Sequence, residues 1–269
     1  MSVKTKSLEV LLMKICLLFD IAEGNVLRLK QQHQYQIQAM VYNLLDKEYA
    51  RFLHNEGFIY EGKRHFKLFC FSKLFGNGSI KREKDFLYIP SPVKLSITSP
   101  VNAILEQLAN NALSLGEIRL GNNFLQCKEV TVENPQAKSE EILVQTLSPI
   151  VCYSTLKKYD GSDFTHYHSP YDQEFGEQIH ANLIKKFTLI TSEKSELNQT
   201  IKIEKLGRIW ESIRFFSPED NRPIKGWNGN FRLTGSQELL QTALDAGLGA
   251  KNSSGFGCVE LVERERRYK

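Results

Sequence analysis

The sequence predicts an α+β fold of two tandem ferredoxin-like βαββαβ domains, an arrangement that RNA-recognition modules also use. Three observations predict it. Short apolar, aromatic-rich runs bounded by Gly, Pro and Asn alternate with longer segments of helical periodicity. The order strand, helix, strand, strand, helix, strand is met once in residues 1–134 and again in residues 141–269. A polar, proline-containing stretch ending in Pro-Gln-Ala-Lys-Ser-Glu makes residues 135–140 the natural linker. The repeat is one of topology only, because the halves share no sequence identity.

Leu11 to Ile21 reads as a buried strand and Glu23 to Gln32 as a polar connection. His33 to Glu48 reads as one amphipathic helix, since Ile37, Met40, Val41, Leu44 and Leu45 recur at helical spacing. Ala50 to Ile59 reads as a loop carrying His54 and Gly57. Phe66 to Ser72 (FKLFCFS) is a second strand and Asp85 to Ile89 a third, with a turn at Asn77-Gly78. Pro100 to Leu113 reads as a helix with Ser99 as its cap, and Ile118 to Val132 closes the unit as a strand or hairpin. In the second unit Ile142 to Cys152 is the first strand. Asp172 to Phe187 is a helix with Phe175, Ile179, Leu183 and Ile184 on one face. Gln199 to Leu206, Ile209 to Phe216 and Trp227 to Thr234 are strands. Ser236 caps a last helix reaching Ala246, and Phe256 to Val262 is the closing strand.

At 269 residues the chain is long enough to bury its cores without disulfides. Its five cysteines fall singly in strand-like runs, with no C-x-x-C pair, which argues for reduced, mostly buried thiols in a cytoplasmic protein and against a zinc site. No apolar stretch has transmembrane length, so no membrane partner is expected. The net charge of +4 is mild. Basic residues nonetheless cluster at Lys63, Arg64, Lys67 and Lys73, at Lys81, Arg82 and Lys84, and in the tail Arg264, Arg266, Arg267 and Lys269. Each cluster taken alone reads as solvated surface.

The most specific feature is Gly247-Leu248-Gly249-Ala250-Lys251-Asn252-Ser253-Ser254-Gly255-Phe256-Gly257. It is not a dinucleotide fingerprint, because Asn252 stands where the third glycine belongs and the loop follows a helix rather than a strand. It is not a P-loop, because no glycine is followed by Lys-Ser or Lys-Thr. A plain helix-to-strand turn needs one or two glycines. Four glycines with Lys251 and Asn252 suit a backbone that another chain approaches closely, with amides able to face an anion.

Between last helix and last strand, G-x-G-x5-G-x-G resembles the signature glycine-rich loop of the CRISPR-associated repeat-processing endoribonucleases, part of the wider RAMP superfamily. His33 to Leu45 (HQYQIQAMVYNLL) looks like that family's first helix. Leu53-His54 and the FKLFCFS run look like its following loop and second strand, and Leu147-Ser148-Pro149-Ile150 resembles the opening of its second domain. The resemblance implies two ferredoxin-like domains and, as substrate, the CRISPR repeat RNA of a precursor transcript. It also implies cleavage by the RNA's own 2′-hydroxyl, leaving a 2′,3′-cyclic phosphate and a 5′-hydroxyl. Carried over by position, the catalytic residues would be Tyr42, His54 and Lys67, with Lys63 the alternative lysine. Some members bind RNA without cutting, so a scaffold subunit of an RNA-guided effector complex is the rival reading. A homodimer is a further partner expectation. A third reading is a small anionic ligand held by the glycine loop.

These residue types suit the chemistry. A 2′-hydroxyl nucleophile needs a base, its leaving 5′-oxygen an acid, and the phosphoryl oxygens a cation. Histidine can be base or acid near neutral pH, lysine supplies charge and donors, and tyrosine orients or relays a proton. The nucleophile is already tethered, so no metal or other cofactor is expected. Each residue also has a plainer reading: Tyr42 as core, Lys67 as a solvent-facing strand position. His33, His166 and His168 read as surface, and Phe69, Phe71 and Trp210 as strand core. RNA contacts are expected from Gly247, Gly249, Lys251, Asn252, Gly255 and Gly257. Arg222 and Lys225 would meet phosphates, and Trp227, in the turn-like run Gly226 to Gly229, would stack on a base.

Overall fold

The computed structural model describes residues 13–191, 200–220 and 222–262. In the first unit the chain runs β1 (Lys14–Ile21), β2 (Val26–Lys30), α1 (Gln34–Asn43), α2 (Lys47–Asn55), β3 (Phe58–Tyr60), β4 (Arg64–Phe66), β5 (Cys70–Phe71) and β6 (Phe75–Gly76). It continues through β7 (Lys81–Glu83), β8 (Phe86–Pro90), β9 (Val93–Thr98), α3 (Asn102–Ser114), β10 (Ile118–Leu120) and β11 (Asn123–Glu133). The main sheet is antiparallel in the order β10-β11-β1-β9-β5. With β1, β5, β9 and β11 as the four strands of the motif, this is the ferredoxin-like order 4-1-3-2. Ile15, Leu17 and Phe19 on one face of β1 pack with Ile37, Met40, Val41, Ile104, Leu105 and Leu108 of α1 and α3. The two periodicities, 2 along the strand and 3.6 along the helices, meet in that core.

Several expectations need correction. The supposed connection 23–32 contains β2, where Leu27 and Leu29 are buried between exposed Val26, Arg28 and Lys30. It pairs with β8, which in turn pairs with β7, in a separate three-stranded sheet. The third strand of the motif is therefore β9, not the Asp85–Ile89 run. The single helix 33–48 is two helices. Asp46 takes a non-helical backbone (φ −58°, ψ 141°) and starts α2, which occupies most of the expected loop 50–59 and puts His54 on a helix. FKLFCFS is not one strand: Leu68 has φ 52° and kinks the chain between β4 and β5. Ser99 does not cap α3, whose N-cap is Val101. Its hydroxyl instead donates to the Leu68 carbonyl at 2.7 Å and accepts from the Val101 amide at 3.0 Å, holding the kink that presents Lys67.

The second unit contains β12 (Glu141–Thr146), β13 (Tyr153–Lys157), β14 (Asp163–Tyr167), α4 (Gln173–Thr191), β15 (Ile201–Arg214), β16 (Ile224–Gly235), α5 (Gln237–Ala246) and β17 (Val259–Leu261). Its sheet order β15-β16-β12-β17 is again ferredoxin-like. The chain thus has the predicted fold, an α+β pair of ferredoxin-like units. Phe175, Ile179 and Leu183 of α4 and Leu239, Leu240 and Ala243 of α5 cover one face of this sheet in a second core. Ser236 caps α5 as expected, accepting from the Leu239 amide at 3.4 Å. The two strands expected over 199–216 are one long β15 with an irregularity between Leu206 and Trp210, and residue 199 lies outside the described residues. The hairpin β13–β14 was not anticipated.

The segment 135–140 packs along α5: the Ala137 amide donates to Gln241 Oε1 at 2.9 Å, and Gln241 Nε2 donates to the Pro135 carbonyl at 3.0 Å. The units also touch directly. Ser148 Oγ donates to the Phe71 carbonyl at 3.1 Å, the Lys73 amide to the Leu147 carbonyl at 3.0 Å, and Lys14 pairs with Glu133 and Glu260 at 2.7 and 3.4 Å. All five cysteines are free, and all but the half-exposed Cys127 are buried. No described helix is long and apolar enough to cross a membrane. The basic tail from Arg264 onward lies outside the described residues.

Candidate active site

Tyr42, His54 and Lys67 converge. Tyr42 lies near the end of α1, half-buried, with its ring edge-on to Phe69 at 5.8 Å and to His54 at 6.0 Å. His54 lies in the last turn of α2 with its side chain exposed. Its Nδ1 is 3.0 Å from Asn55 Oδ1. That oxygen can only accept, so the contact puts a hydrogen on Nδ1, and in the neutral ring the lone pair lies on Nε2. Lys67 Nζ donates to the His54 carbonyl at 2.9 Å. Lys63 lies instead in the turn between β3 and β4, exposed, its amide bonded to the Tyr60 carbonyl.

Gly57 makes this convergence feasible. It follows α2 with φ +65°, and a Cβ there would stand 2.5 Å from the Phe66 carbonyl and 3.0 Å from Lys67 Cδ. The glycine lets β4 and Lys67 fold back onto the end of α2. Burial pushes the Tyr42 phenol up to about 12, so at neutral pH it is a donor and not a base. Partial burial pulls the Lys67 ammonium below the ordinary lysine range.

The glycine loop stands opposite. Gly247, Gly249, Gly255 and Gly257 all have positive φ, as does Lys251 at 61°. A Cβ on Gly257 would collide with the Leu248 carbonyl. Gln34 Nε2 of α1 donates to the Ser254 and Gly255 carbonyls at 3.3 and 3.2 Å, and Gln38 Nε2 to the Ser253 carbonyl at 2.7 Å. Gln34, Gln38 and Tyr42 are spaced four apart, so one stripe of α1 holds the loop at one end and meets His54 at the other. Lys251 is exposed, with Nζ 5.5 Å from the Tyr153 ring centroid.

Between the two sides lies a cleft of about 740 Å³. Arg64 and Lys67 line it from the first unit, and Lys185, Lys186, Lys251 and the loop from the second. Sequence reasoning missed Lys186. It is 2 % exposed, and its Nζ donates to the carbonyls of Ala246, Gly247 and Gly249 at 3.1, 2.7 and 3.3 Å and to Asn252 Oδ1 at 2.8 Å. Burial pulls this amine down to about 7, while the four oxygens around it favour the charged form. The signal was legible: Lys186 lies one turn beyond Leu183, on the apolar face of α4.

The other expected contacts do not join the cleft. Arg222 is held by Asp220 through bonds of 2.8 and 3.0 Å. Lys225 Nζ is 3.8 Å from Glu211. Trp227 stands inside β16 rather than in a turn, and its indole N–H donates to the His168 carbonyl at 3.0 Å. His33 and His168 are buried, not surface. His33 Nδ1 lies 2.9 Å from the Lys30 carbonyl, and burial pulls that imidazole down to about 4. His168 Nε2 lies 2.8 Å from Ser154 Oγ. Phe69 and Phe71 are core, as read, whereas Trp210 is 49 % exposed. Among the described residues no group of three or more His, Cys, Asp or Glu gathers as metal ligands would.

Residues 132–261 match the family model described as CRISPR associated protein Cas6, C-terminal. The chain is similar to CRISPR-associated endoribonuclease Cas6 1 of Methanocaldococcus jannaschii, 28% identical over 253 residues that cover 91% of each chain. It is likewise 28% identical to CRISPR-associated endoribonuclease Cas6 of Pyrococcus furiosus over 236 residues, 85% of this chain and 82% of that one. Its fold matches a solved CRISPR associated protein Cas6 with a TM-score of 0.75 at 26% identity, over 93% of this chain and 99% of the other. A structure described as an RAMP protein binding different RNA substrates shares the fold with a TM-score of 0.76 at 20% identity, over 93% and 100%. The likeness read from the glycine loop extends along the chain.

Proposed function

Starting from this kinship with the Cas6 proteins, we propose that the chain is a metal-independent endoribonuclease that cuts CRISPR repeat RNA in precursor transcripts. The observation that supports the reading is the chain of contacts from Tyr42 to the His54 ring and from the His54 carbonyl to Lys67, which lines a cleft of cations opposite the glycine loop. His54 Nε2, with its lone pair free, takes the proton of the 2′-hydroxyl. The 2′-oxygen attacks the adjacent phosphorus, and the bond to the 5′-oxygen breaks. The leaving oxygen receives a proton from the neutral Tyr42 phenol. Lys67 steadies the charge that builds on the phosphoryl oxygens. The products are a 2′,3′-cyclic phosphate and a 5′-hydroxyl. The tethered nucleophile removes the need for metal-bound hydroxide.

The test is incubation with labelled repeat RNA from the protein's own source in excess EDTA. One cut per repeat, with a cyclic phosphate on the upstream fragment, is expected. Loss of cleavage in EDTA overturns the metal-free mechanism. Tight, salt-sensitive binding with no cut makes the protein an RNA-binding scaffold instead.

The two lysines separate cleanly. Lys67→Ala is expected to lower the single-turnover rate at saturating protein by about 10- to 100-fold. Lys63→Ala, at an exposed turn, should leave that rate within about 3-fold of wild type. The reverse pattern in quench-flow traces would reassign the role to Lys63.

A further inference from the structure

Lys186 carries a cost that packing alone does not explain. A buried ammonium with no carboxylate partner among the described residues is expensive, and an apolar side chain of its length would serve a core better. Among the described residues, the titratable groups that bear on it are the buried thiols of Cys70 and Cys152. Its neighbours are loop oxygens: the carbonyls of Ala246, Gly247 and Gly249, and Asn252 Oδ1. The other end of the same carboxamide, Asn252 Nδ2, donates to the carbonyls of Leu248 and Phe256 at 3.1 and 3.0 Å. Four consecutive carbonyls, 246 to 249, are therefore gathered by one ammonium and one carboxamide. Three of them meet at Lys186 Nζ and the fourth at Asn252 Nδ2, an arrangement that the positive φ of Gly247 and Gly249 permits.

We propose that Lys186 is a positioning residue for RNA: with Asn252 it draws the loop's carbonyls into the protein, so that a phosphate entering the cleft meets the loop without opposing oxygens. The inference rests on the RNA-cleaving reading and gives Gly247 and Gly249 a cause. A carbonyl left facing the cleft would present partial negative charge to phosphate. The buried ammonium acts through the shape of the loop and not by touching RNA. It therefore governs affinity rather than the chemical step.

The test compares Lys186→Met and Lys186→Arg with wild type on repeat RNA, reading the dissociation constant and the saturating single-turnover rate separately. Lys186→Met is expected to weaken binding by about 10-fold or more while the saturating rate stays within about 3-fold. Lys186→Arg keeps charge and donors and should recover part of the affinity. A merely structural role would shrink the active fraction and leave the dissociation constant of the remainder unchanged. Amide hydrogen exchange without RNA is the second readout: protection should fall across 247–257 in Lys186→Met and not elsewhere. Wild-type affinity, or unchanged protection of the loop, overturns the proposal. Should Lys186→Met fail to fold, Asn252→Ala, at a half-exposed position, is held to the same two outcomes. If the wild-type protein neither binds nor cuts repeat RNA, the enzymatic reading falls, and the exchange arm decides the loop brace on its own.

Discussion

His54→Ala is expected to slow cleavage of repeat RNA at saturating protein by about 10²- to 10⁴-fold, the range that a positioned general base contributes, while leaving RNA affinity within about 3-fold. The split follows from where the side chain lies. The imidazole is exposed, touches the edge of Tyr42 and bonds Asn55. Its loss opens no cavity, since the buried anchor of α2 is the neighbouring Leu53. Removing an exposed side chain of this kind changes stability by only about 0.5 kcal/mol, so thermal melting should barely move. The cations that line the cleft, Lys67, Arg64, Lys185 and Lys251, all remain. The bond that fixes Lys67 runs to the backbone carbonyl of residue 54, not to its ring, and so survives the substitution. Single-turnover rates and filter binding on the same preparations check both halves. Intact cleavage by His54→Ala would move the base elsewhere without touching the function. A parallel loss of affinity would mean that the ring holds RNA rather than a proton.

The parts of this site that were legible in the sequence are those written in one local pattern. The glycine loop is contiguous, and only its composition had to be read. The core of α1 shows as Ile37, Met40 and Val41 at helical spacing, which places Tyr42 beside it. Ser236 announces the start of α5. What escaped depended on contacts between distant segments. The break at Asp46 is hidden because Leu44 and Leu45 continue the apolar period of α1 through the turn and are buried beneath it. His54 therefore seemed to follow a helix, when it belongs to a second one. The strand β9, short and squeezed between Pro92 and Pro100, was legible as Val93, Leu95 and Ile97 alternating with Lys94, Ser96 and Thr98 but was passed over. It is nonetheless central, pairing with β1 through six residues, Val93 to Thr98. Lys186 lay on an apolar helix face, where a charge demands an explanation. Its partners, more than fifty residues later, were out of sight. Gly57 could be seen as a helix-ending glycine, but its reason, the return of Lys67 to the His54 carbonyl, exists only in three dimensions.

Replacing the 2′-hydroxyl by hydrogen at the nucleotide just upstream of the cut is expected to abolish cleavage, by at least about 10³-fold, with binding unchanged within about 3-fold. In the proposed mechanism the substrate supplies the nucleophile, so none of Tyr42, His54 and Lys67 can replace it. On the same reading affinity would come from cations facing phosphates and from the loop surface, and neither senses a single 2′-oxygen. This result separates two chemistries that His54→Ala leaves joined. If His54 instead activated a water molecule, the deoxy substrate would still be cut, and the upstream fragment would end in a plain phosphate. If the substrate's own hydroxyl attacks, the deoxy RNA becomes a tight, uncleaved ligand that competes with the natural repeat at a concentration near its dissociation constant. A deoxy substitution one nucleotide away should be cut at close to the normal rate, because the in-line geometry concerns one sugar and its own phosphate. Cleavage that persists at the deoxy position would discard 2′-hydroxyl attack and keep only the cleft and its lysines.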